Sequence, residues 1–112
     1  MIEDFEEEVK LFYSAKTNFD DFEKFITIHL PIVKTVVNRY YSLDEYDDLY
    51  QEGCIGLITA FQNFDPTKNV RFSHYCKYWI KNKIQDFAWR RSIVKTTREE
   101  FLYGLKPKRS NL

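Results

Sequence analysis

Five side chains suited to binding nucleic-acid bases recur along the second half of the sequence, at a spacing that matches one side of an α-helix. At about 100° per residue they fall within about 80° of one another. They are Tyr75, Tyr78, Asn82, Gln85 and Trp89. Aromatic rings stack on unpaired bases at roughly 1–3 kcal/mol each, and side-chain amides read base edges. This stripe therefore predicts recognition of bases, with unpaired bases favoured over plain duplex.

Cationic side chains surround this stripe. From residue 66 to residue 98 the chain carries nine basic residues and a single acidic one, Asp86. Lysine and arginine neutralise phosphates, and Lys77 and Lys81 flank the stripe directly. The alternative is that Tyr78 and Trp89 are core residues and the lysines only solvate the surface. Nucleic-acid binding is favoured, because the same helix has a separate apolar stripe suited to the core: Phe72, Cys76, Trp79, Ile80, Ile84 and Phe87.

A second predicted helix, from about residue 45 to residue 63, also has two unlike sides. Its core side carries Leu49, Gly53, Gly56, Leu57, Ala60 and Phe61. Glycine weakens a helix interior by about 1 kcal/mol relative to alanine, so we expect the two glycines to admit a neighbouring helix closely. The opposite side carries Asp48, Gln51, Glu52, Ile55, Ile58 and Thr59. Two isoleucines among acidic and amide groups indicate either a partner-binding surface or a second buried contact inside the domain.

The distribution of charge divides the chain into two halves. The net charge is zero, but residues 1–52 hold 13 acidic and 5 basic side chains, whereas residues 53–112 hold 4 acidic and 12 basic ones. This asymmetry indicates two electrostatic faces with different partners, one of them nucleic acid, or two halves that attract each other within the fold.

Enzyme chemistry has no support in the sequence. His29 and His74 are isolated, no glycine-rich phosphate loop is present, and no carboxylate pair faces a nucleophile. His29 is expected on a helix surface. No metal or cofactor is predicted. Cys54 and Cys76 are expected to be buried free thiols, which suits a reducing compartment.

The N-terminus is acidic rather than signal-like, and no apolar run reaches membrane-spanning length. We therefore expect a cytoplasmic protein with no membrane partner.

Helical periodicity runs through every long segment, so the sequence predicts an all-α protein: a compact bundle of about four to five helices. We divide it into an acidic N-terminal helix (1–18), a core domain (19–95) and a basic, mobile tail or the start of a following region (96–112). A first helix over 3–15 places Phe5, Val9, Phe12 and Tyr13 on one stripe.

Helix boundaries follow from capping and turn signals. Asn18 or Asp20 is expected to cap a helix over 20–41 that Pro31 either kinks or divides in two. Ser42 or Asp44 is expected to cap the 45–63 helix, and residues 63–69 read as a loop with Asp-Pro turn chemistry. Ser73 is predicted to cap the last long helix, which would run to about residue 91.

Three segments in order resemble region 2 of the sigma-70 family of transcription initiation factors. They are DLYQEGCIGL at 48–57, FDP at 64–66 and RFSHYCKYWI at 71–80. The resemblance is ungapped within each segment, covers roughly residues 20–95, and identifies the chain as similar to sigma region 2. Residues 89–97 are most similar to heat-shock-type members.

The resemblance implies two binding sites. In the family, the acidic helix docks on the clamp coiled coil of the largest subunit of core RNA polymerase. The positions that match or border this contact here are Asp48, Gln51, Glu52, Ile55 and Ile58.

The aromatic helix, in the family, captures the non-template strand of the minus-ten promoter element. The resemblance assigns the pocket for a flipped adenine to Phe64, Lys68, Tyr75 and Lys77, and the edge of the melted duplex to Tyr78 and Trp79. Asn82 and Gln85 match the positions that read the last paired base. The full predicted DNA-binding set adds the neighbouring cations Arg71, Lys81, Arg90 and Arg91.

The implied function is promoter-specific initiation by a sigma factor or sigma domain. The alternative is a sigma mimic, encoded by a phage or mobile element or forming half of a split factor, that occupies the polymerase clamp to block or redirect transcription. An anti-sigma factor or a second sigma-like subunit is a further expected partner. A helix-turn-helix domain for the minus-thirty-five element is not expected within 112 residues.

Overall fold

The computed structural model describes the backbone of residues 4–40 and 45–103, and the side chains of residues 4–40 and 45–91. The described residues form four α-helices and one 3-10 turn over Pro66–Lys68. The helices are α1 (Phe5–Ala15), α2 (Phe19–Tyr40), α3 (Tyr46–Asn63) and α4 (Phe72–Tyr103). The prediction of an all-α bundle is confirmed, and the described residues form no β-strand.

Side chains define the starts of the first two helices. Asp4 caps α1 by accepting a bond from the Glu6 N–H at 2.9 Å. Asn18 accepts from the N–H groups of Asp20 and Asp21 at 2.9 and 3.2 Å. Asn18 is therefore the cap of α2, as one of the two sequence alternatives proposed. The expected caps of α3, Ser42 and Asp44, lie outside the described residues.

Pro31 lies inside α2 without ending it. Proline removes one backbone donor and usually kinks or breaks a helix interior, so the sequence left open a division into two helices. That division does not occur, because α2 continues for nine residues beyond Pro31 to Tyr40. The unbroken helix matters for function, since its second half forms one wall of the site described below.

Five phenylalanines join all four helices into one core. Phe12 packs on Phe61 at 5.0 Å and on Phe64 at 5.2 Å between ring centroids. Phe25 packs on Phe72 at 4.8 Å, mostly edge to face. Each of the five is at most 7% exposed. Edge-to-face rings contribute about 0.5–1.5 kcal/mol beyond their buried area, so α1 belongs to the same packed unit as the other helices.

Gly53 and Gly56 bring α3 into close contact with its neighbours. A Cβ atom at Gly56 would lie 2.8 Å from the Trp79 carbonyl oxygen and 2.9 Å from the Ile80 Cα. A Cβ atom at Gly53 would lie 2.6 Å from Val33 Cγ1. The predicted role of the two glycines is confirmed, and so is the predicted core side of α3, every member of which is buried.

The start and extent of α4 differ from the sequence prediction. The helix begins at Phe72, one residue before Ser73, so Ser73 is not its cap. The Phe72 N–H instead donates to the carboxylate of Glu8 on α1 at 3.2 Å. The helix continues to Tyr103 rather than ending near residue 91, and it crosses residue 95 without a break. The tail predicted to be mobile lies largely outside the described residues.

Three further expectations need correction. His29 is buried rather than on the helix surface, with its ring 4.8 Å from that of Phe72 and its Nδ1 2.8 Å from the Phe25 carbonyl oxygen. Tyr13 does not share the core stripe of α1, because it is 51% exposed while Glu8 is buried in its place. Cys54 is only half-buried, whereas Cys76 is buried.

Candidate nucleic-acid and protein interfaces

The outer side of α4 presents the predicted aromatic and amide stripe. Tyr78 is 67% exposed and Trp89 is 41% exposed. Asn82 is exposed as well, whereas Tyr75 and Gln85 are half-buried. The inner side of the same helix buries Phe72, Cys76, Ile80 and Ile84 completely. The alternative that the stripe is part of the core is therefore wrong for Tyr78.

Tyr78 and Trp79 stand together at the centre of this outer side. Their ring centroids are 6.4 Å apart and the rings are nearly perpendicular, at 86°. Trp79 is half-buried and also contacts Tyr75, at 6.3 Å between centroids. Trp79 thus contacts the exposed Tyr78 ring edge to face on one side, and the rest of the Tyr78 ring is open to a partner.

A groove of about 410 Å³ runs between α2 and α4 beside Tyr78. Its lining is mostly apolar and aromatic, with cations at its edge. The lining residues are Pro31, Ile32, Thr35, Val36, Arg39, Tyr40, Lys77, Tyr78 and Lys81. An apolar slot flanked by ammonium and guanidinium groups suits a flat, anionic ligand such as a nucleotide.

The contribution of α2 to this groove was missed by the sequence reasoning. Its residues form two adjacent rows at i, i+4 spacing, one of them Pro31, Thr35 and Arg39. The other row is Ile32, Val36 and Tyr40, and none of these residues belongs to the predicted DNA-binding set. The residue types at the end of both rows, the cation Arg39 and the aromatic Tyr40, are the signal that could have indicated a base-binding wall.

The amide of Gln85 is held by a residue of α2. Its Nε2 donates to the Tyr40 hydroxyl oxygen at 3.2 Å. That bond uses one of the two amide N–H groups, which leaves one N–H and the carbonyl oxygen for another partner. One donor beside one acceptor is the pair that an adenine edge requires.

The loop between α3 and α4 is ordered by short-range bonds. Asp65 accepts from the Thr67 N–H at 2.9 Å and from the Thr67 hydroxyl at 2.6 Å. These two bonds lower the pKa of the Asp65 carboxyl below its ordinary value. Asn69 adopts the left-handed conformation at φ 59°, which asparagine tolerates. Lys68 stands exposed within this turn.

Two members of the pocket implied by the resemblance lie beneath that loop. Phe64 is buried at 6% exposure, so its ring belongs to the aromatic core. Tyr75 packs on Phe64 at 5.3 Å, and its hydroxyl donates to the Asn63 carbonyl oxygen at 3.2 Å. Phe64 is therefore placed to support Tyr75 rather than to meet a ligand itself.

Arg71 differs from the other predicted DNA-binding cations. Its Nε lies 3.3 Å from the buried Glu8 carboxylate, and its side chain is one-third exposed. Its guanidinium also lies 5.9 Å from the centre of the Phe5 ring. Arg71 is thus engaged with α1, whereas Lys77 and Lys81 line the groove.

The outer side of α3 is exposed, as a partner-binding surface requires. Ile55 and Ile58 are 48% and 38% exposed, so the alternative of a second buried contact inside the domain is wrong for the described structure. Asp48 and Gln51 are exposed and Glu52 is half-buried on the same side. Ile58 also borders a shallower groove that contains Phe19 and Phe22.

An ion-pair cluster joins the two outer sides at one end. Arg91 of α4 lies 3.4 Å from carboxylate oxygens of both Glu45 and Asp48, and Arg90 pairs with Asp86 at 3.2 Å. Exposed pairs of this kind contribute only about 0–1 kcal/mol each, so a phosphate can compete for either arginine.

The cysteines offer no reactive thiol. Burial raises the pKa of Cys76 to about 12 and also raises the pKa of Cys54. Both therefore stay protonated near neutral pH. Within the described ranges no group of three or more histidine, cysteine or acidic side chains is arranged to hold a metal ion, and no helix there is long and apolar enough to cross a membrane.

Comparison with known proteins finds similar sequences over most of the chain. The family model for sigma-70 region 2 matches residues 25–92. The chain is 36% identical over 96 residues to the RNA polymerase sigma-G factor of Bacillus subtilis, a match that covers 83% of this chain and 37% of that factor.

Two further relatives show the same partial coverage. The sigma-F factor of Bacillus subtilis is 39% identical over 88 residues, covering 79% of this chain and 33% of that factor. The sigma factor RpoH of Rhizobium radiobacter is 34% identical over 86 residues, covering 74% of this chain and 28% of that factor. The chain thus spans about a third of the length of these relatives.

Proposed function

Because the chain belongs to the sigma-70 family through its region 2, we propose that it acts in transcription initiation by binding core RNA polymerase and the minus-ten promoter element. The observation that carries the proposal is the outer side of α4, where exposed Tyr78 adjoins a cationic groove while the inner side lies in the core. Membership of a family of initiation factors also supports the prediction that the chain is not an enzyme.

The groove between α2 and α4 is the proposed site for an unstacked base of the non-template strand. Flipping a base out of a duplex costs a few kcal/mol, and stacking on an aromatic ring returns roughly 1–3 kcal/mol. Tyr78 and Tyr40 offer rings on the two walls of the groove. Lys77, Lys81 and Arg39 would neutralise neighbouring phosphates and release counterions.

Tyr78 is proposed to stand where the paired and melted DNA meet. Its exposed ring, in contact with Trp79, can stack on the last base pair after the next base leaves the helix. The cost of opening is then offset by binding energy alone, without nucleotide hydrolysis or covalent chemistry. Gln85 lies two turns further along α4, on the side where the duplex would continue, and its remaining N–H and carbonyl oxygen can read a base edge.

The outer side of α3 is the proposed contact with the clamp coiled coil of the largest polymerase subunit. Ile55 and Ile58 form an apolar centre about one helical turn apart, and Asp48, Gln51 and Glu52 surround it. Protein interfaces concentrate binding energy in such central apolar contacts, with charged residues at the rim setting orientation and association rate. A coiled coil with basic rim residues is the complementary partner.

A fluorescence titration with a labelled single strand carrying the minus-ten element, in the presence of core polymerase, tests the proposal. Tyr78→Ala is expected to weaken strand binding by about tenfold or more, because one stacking contact is lost. The matched control is Tyr13→Ala, which removes a similarly exposed ring from α1. If the wild-type chain bound a scrambled strand with equal affinity, promoter recognition would be contradicted.

The same titration separates the sigma factor from the sigma mimic. A mimic that only occupies the clamp needs the α3 surface but not Tyr78. If the wild-type chain binds core polymerase without preferring the promoter strand, and Tyr78→Ala changes neither property, the mimic is the correct function. Binding of an anti-sigma factor or of a second sigma-like subunit stays a prediction. The cytoplasmic location, where the chain would encounter polymerase, also stays a prediction.

A further inference from the structure

One buried charge has no part in the proposed binding surfaces. Glu8 lies on α1, is only 2% exposed, and is one of two polar residues that the described structure buries in its core. Its Oε2 accepts a bond from the Phe72 N–H at 3.2 Å, and its Oε1 lies 3.3 Å from Arg71 Nε. Residue 8 lies outside residues 25–92, which match the family model.

This carboxylate occupies the N-terminus of α4. The first N–H groups of a helix lack partners within the helix, and the helix dipole favours a negative charge at that end. Ser73, the local candidate, lies inside the helix, and α4 takes its acceptor from a residue 64 positions earlier in the chain. A buried carboxylate is costly unless it is paired and hydrogen-bonded, and here Arg71 and the Phe72 N–H meet both conditions.

Glu8 contacts the junction between the α3–α4 loop and α4, at Arg71 and Phe72. Arg71 follows the turn that carries Lys68, and its carbonyl oxygen accepts the first backbone bonds of α4, from His74 and Tyr75 at 3.1 and 3.2 Å. Tyr75 and Tyr78 stand on the next turns. Because Glu8 contacts both the Arg71 side chain and the Phe72 N–H, it positions the first turn of α4 relative to α1.

We propose that Glu8 is a positioning residue for DNA: through Arg71 and Phe72 it holds the α3–α4 loop and the first turns of α4 in the geometry that receives the strand. This inference rests on the proposed DNA-binding role of α4. The outer side of α3, from Asp48 to Thr59, includes neither Glu8 nor its partners Arg71 and Phe72. Loss of the Glu8 contacts therefore weakens strand binding and leaves polymerase binding in place.

The test compares Glu8→Gln with Glu7→Gln in the full chain. Both substitutions remove one negative charge from α1, but Glu7 is exposed. Strand affinity is measured with core polymerase at saturation, and polymerase affinity is measured separately without DNA. Glu8→Gln is expected to lower strand affinity by about fivefold to tenfold, because a charge-assisted contact at the helix terminus is lost. Glu7→Gln should stay within about twofold of wild type in both assays.

Circular dichroism of Glu8→Gln shows whether this variant retains its helical content. If it does not, Glu8→Asp is used as the second variant. It retains the charge but shortens the side chain by one methylene, so the carboxylate no longer reaches both partners. Strand affinity should fall by about threefold while helicity and polymerase affinity stay at the wild-type level.

Three results would overturn the inference. Equal losses of strand and polymerase affinity in Glu8→Gln would show a merely structural role. A gain in strand affinity with a steeper salt dependence would show that Glu8 restrains Arg71 from a phosphate. Unchanged strand affinity in both Glu8 variants would show that the contact does not reach the DNA site. Failure of the wild-type chain to prefer the promoter strand would instead overturn the proposed function itself.

Discussion

The outer sides of α3 and α4 have the same relation to the core but different chemistry. Each helix buries one stripe completely and leaves the opposite stripe in solvent. The α3 side offers two isoleucines within an acidic rim, and nothing in the described structure folds over Ile55. The α4 side offers Tyr78 beside a groove whose second wall is α2. Exposure alone thus does not distinguish the two sides, whereas charge and concavity do.

This difference indicates how one small bundle can serve two partners. An exposed apolar stripe suits another helix, because side chains on two helices interlock along ridges. A groove edged by cations suits a base with its phosphates. Among the described residues, ion pairs of exposed Arg91 with Glu45 and Asp48 link the two surfaces at one end, and exposed pairs contribute only about 0–1 kcal/mol each. Substitutions in one surface should therefore leave the other nearly unchanged.

The largest expected effect concerns the close contact between α3 and α4, on which both outer surfaces depend. Gly56→Ala would place a methyl group 2.8 Å from the Trp79 carbonyl oxygen, and backbone cannot move aside cheaply. We expect the free energy of unfolding to fall by about 1–3 kcal/mol, despite the better helix propensity of alanine. Urea unfolding measures the change. Gly53→Ala should also destabilise, because its Cβ would lie 2.6 Å from Cγ1 of the buried Val33. The loss should be smaller than for Gly56→Ala, because a side chain can shift more easily than backbone.

The next effect concerns the α3 surface alone. The double substitution of Ile55→Ser with Ile58→Ser should weaken polymerase binding by about tenfold or more, because the apolar centre of the contact is lost. Surface plasmon resonance against core polymerase measures it. Val70→Ser removes an apolar side chain that is 42% exposed elsewhere and serves as the control. A loss of the same size in the control would contradict a localised α3 surface.

Acidification should weaken the shared core and hence both surfaces together. Burial lowers the pKa of His29 below its ordinary value of 6.5, although the Phe25 carbonyl and Glu8 act in the opposite direction. The unfolded chain then binds a proton more readily than the folded chain. The stability that neutral His29 contributes is present above pH 6.5 and is lost as the pH falls below it, by at most about 1.4 kcal/mol per pH unit.

Thermal unfolding at several pH values between 7.5 and 5.5 tests this effect. His29→Gln should show a shallower pH dependence than wild type, and His74→Gln, which changes an exposed histidine, is measured beside it for comparison. An identical slope in His29→Gln would contradict the assignment to His29.

The smallest effect sharpens the assignment of α2 to the DNA site. Arg39→Gln should weaken strand binding by about threefold and reduce the salt dependence of the binding constant by about 0.7 in log–log slope, the value for one phosphate contact on a single strand. Lys34→Gln, also exposed on α2 but outside the groove, is the control. Equal salt-dependence slopes for the two variants would show that Arg39 does not contact a phosphate of the strand.

Those features that depend on local periodicity could be predicted from the sequence. Spacing alone assigned Leu49, Gly53, Gly56 and Leu57 to the core, and all are buried. The exposure of Tyr78 followed in the same way, because one side of α4 already held enough apolar residues to fill the core. The segments 48–57 and 71–80 carried the family resemblance, which the match to residues 25–92 bears out.

The contacts between distant residues could not be predicted. A serine beside the first apolar residue of α4 is a good local cap signal, yet Glu8 supplies the acceptor from another helix. His29 looked like a surface residue beside Pro31, but its ring packs against Phe25 and Phe72. The groove likewise depends on how α2 crosses α4, which no spacing within either helix reveals.

Site-specific photocrosslinking tests the central claim most directly. A benzophenone amino acid is placed at position 78 in one variant and at position 55 in another, and each is irradiated in a complex with core polymerase and promoter DNA. Position 78 is expected to crosslink to the non-template strand and position 55 to the largest polymerase subunit. Crosslinking of both positions to polymerase alone, with no DNA adduct at position 78, would contradict this claim.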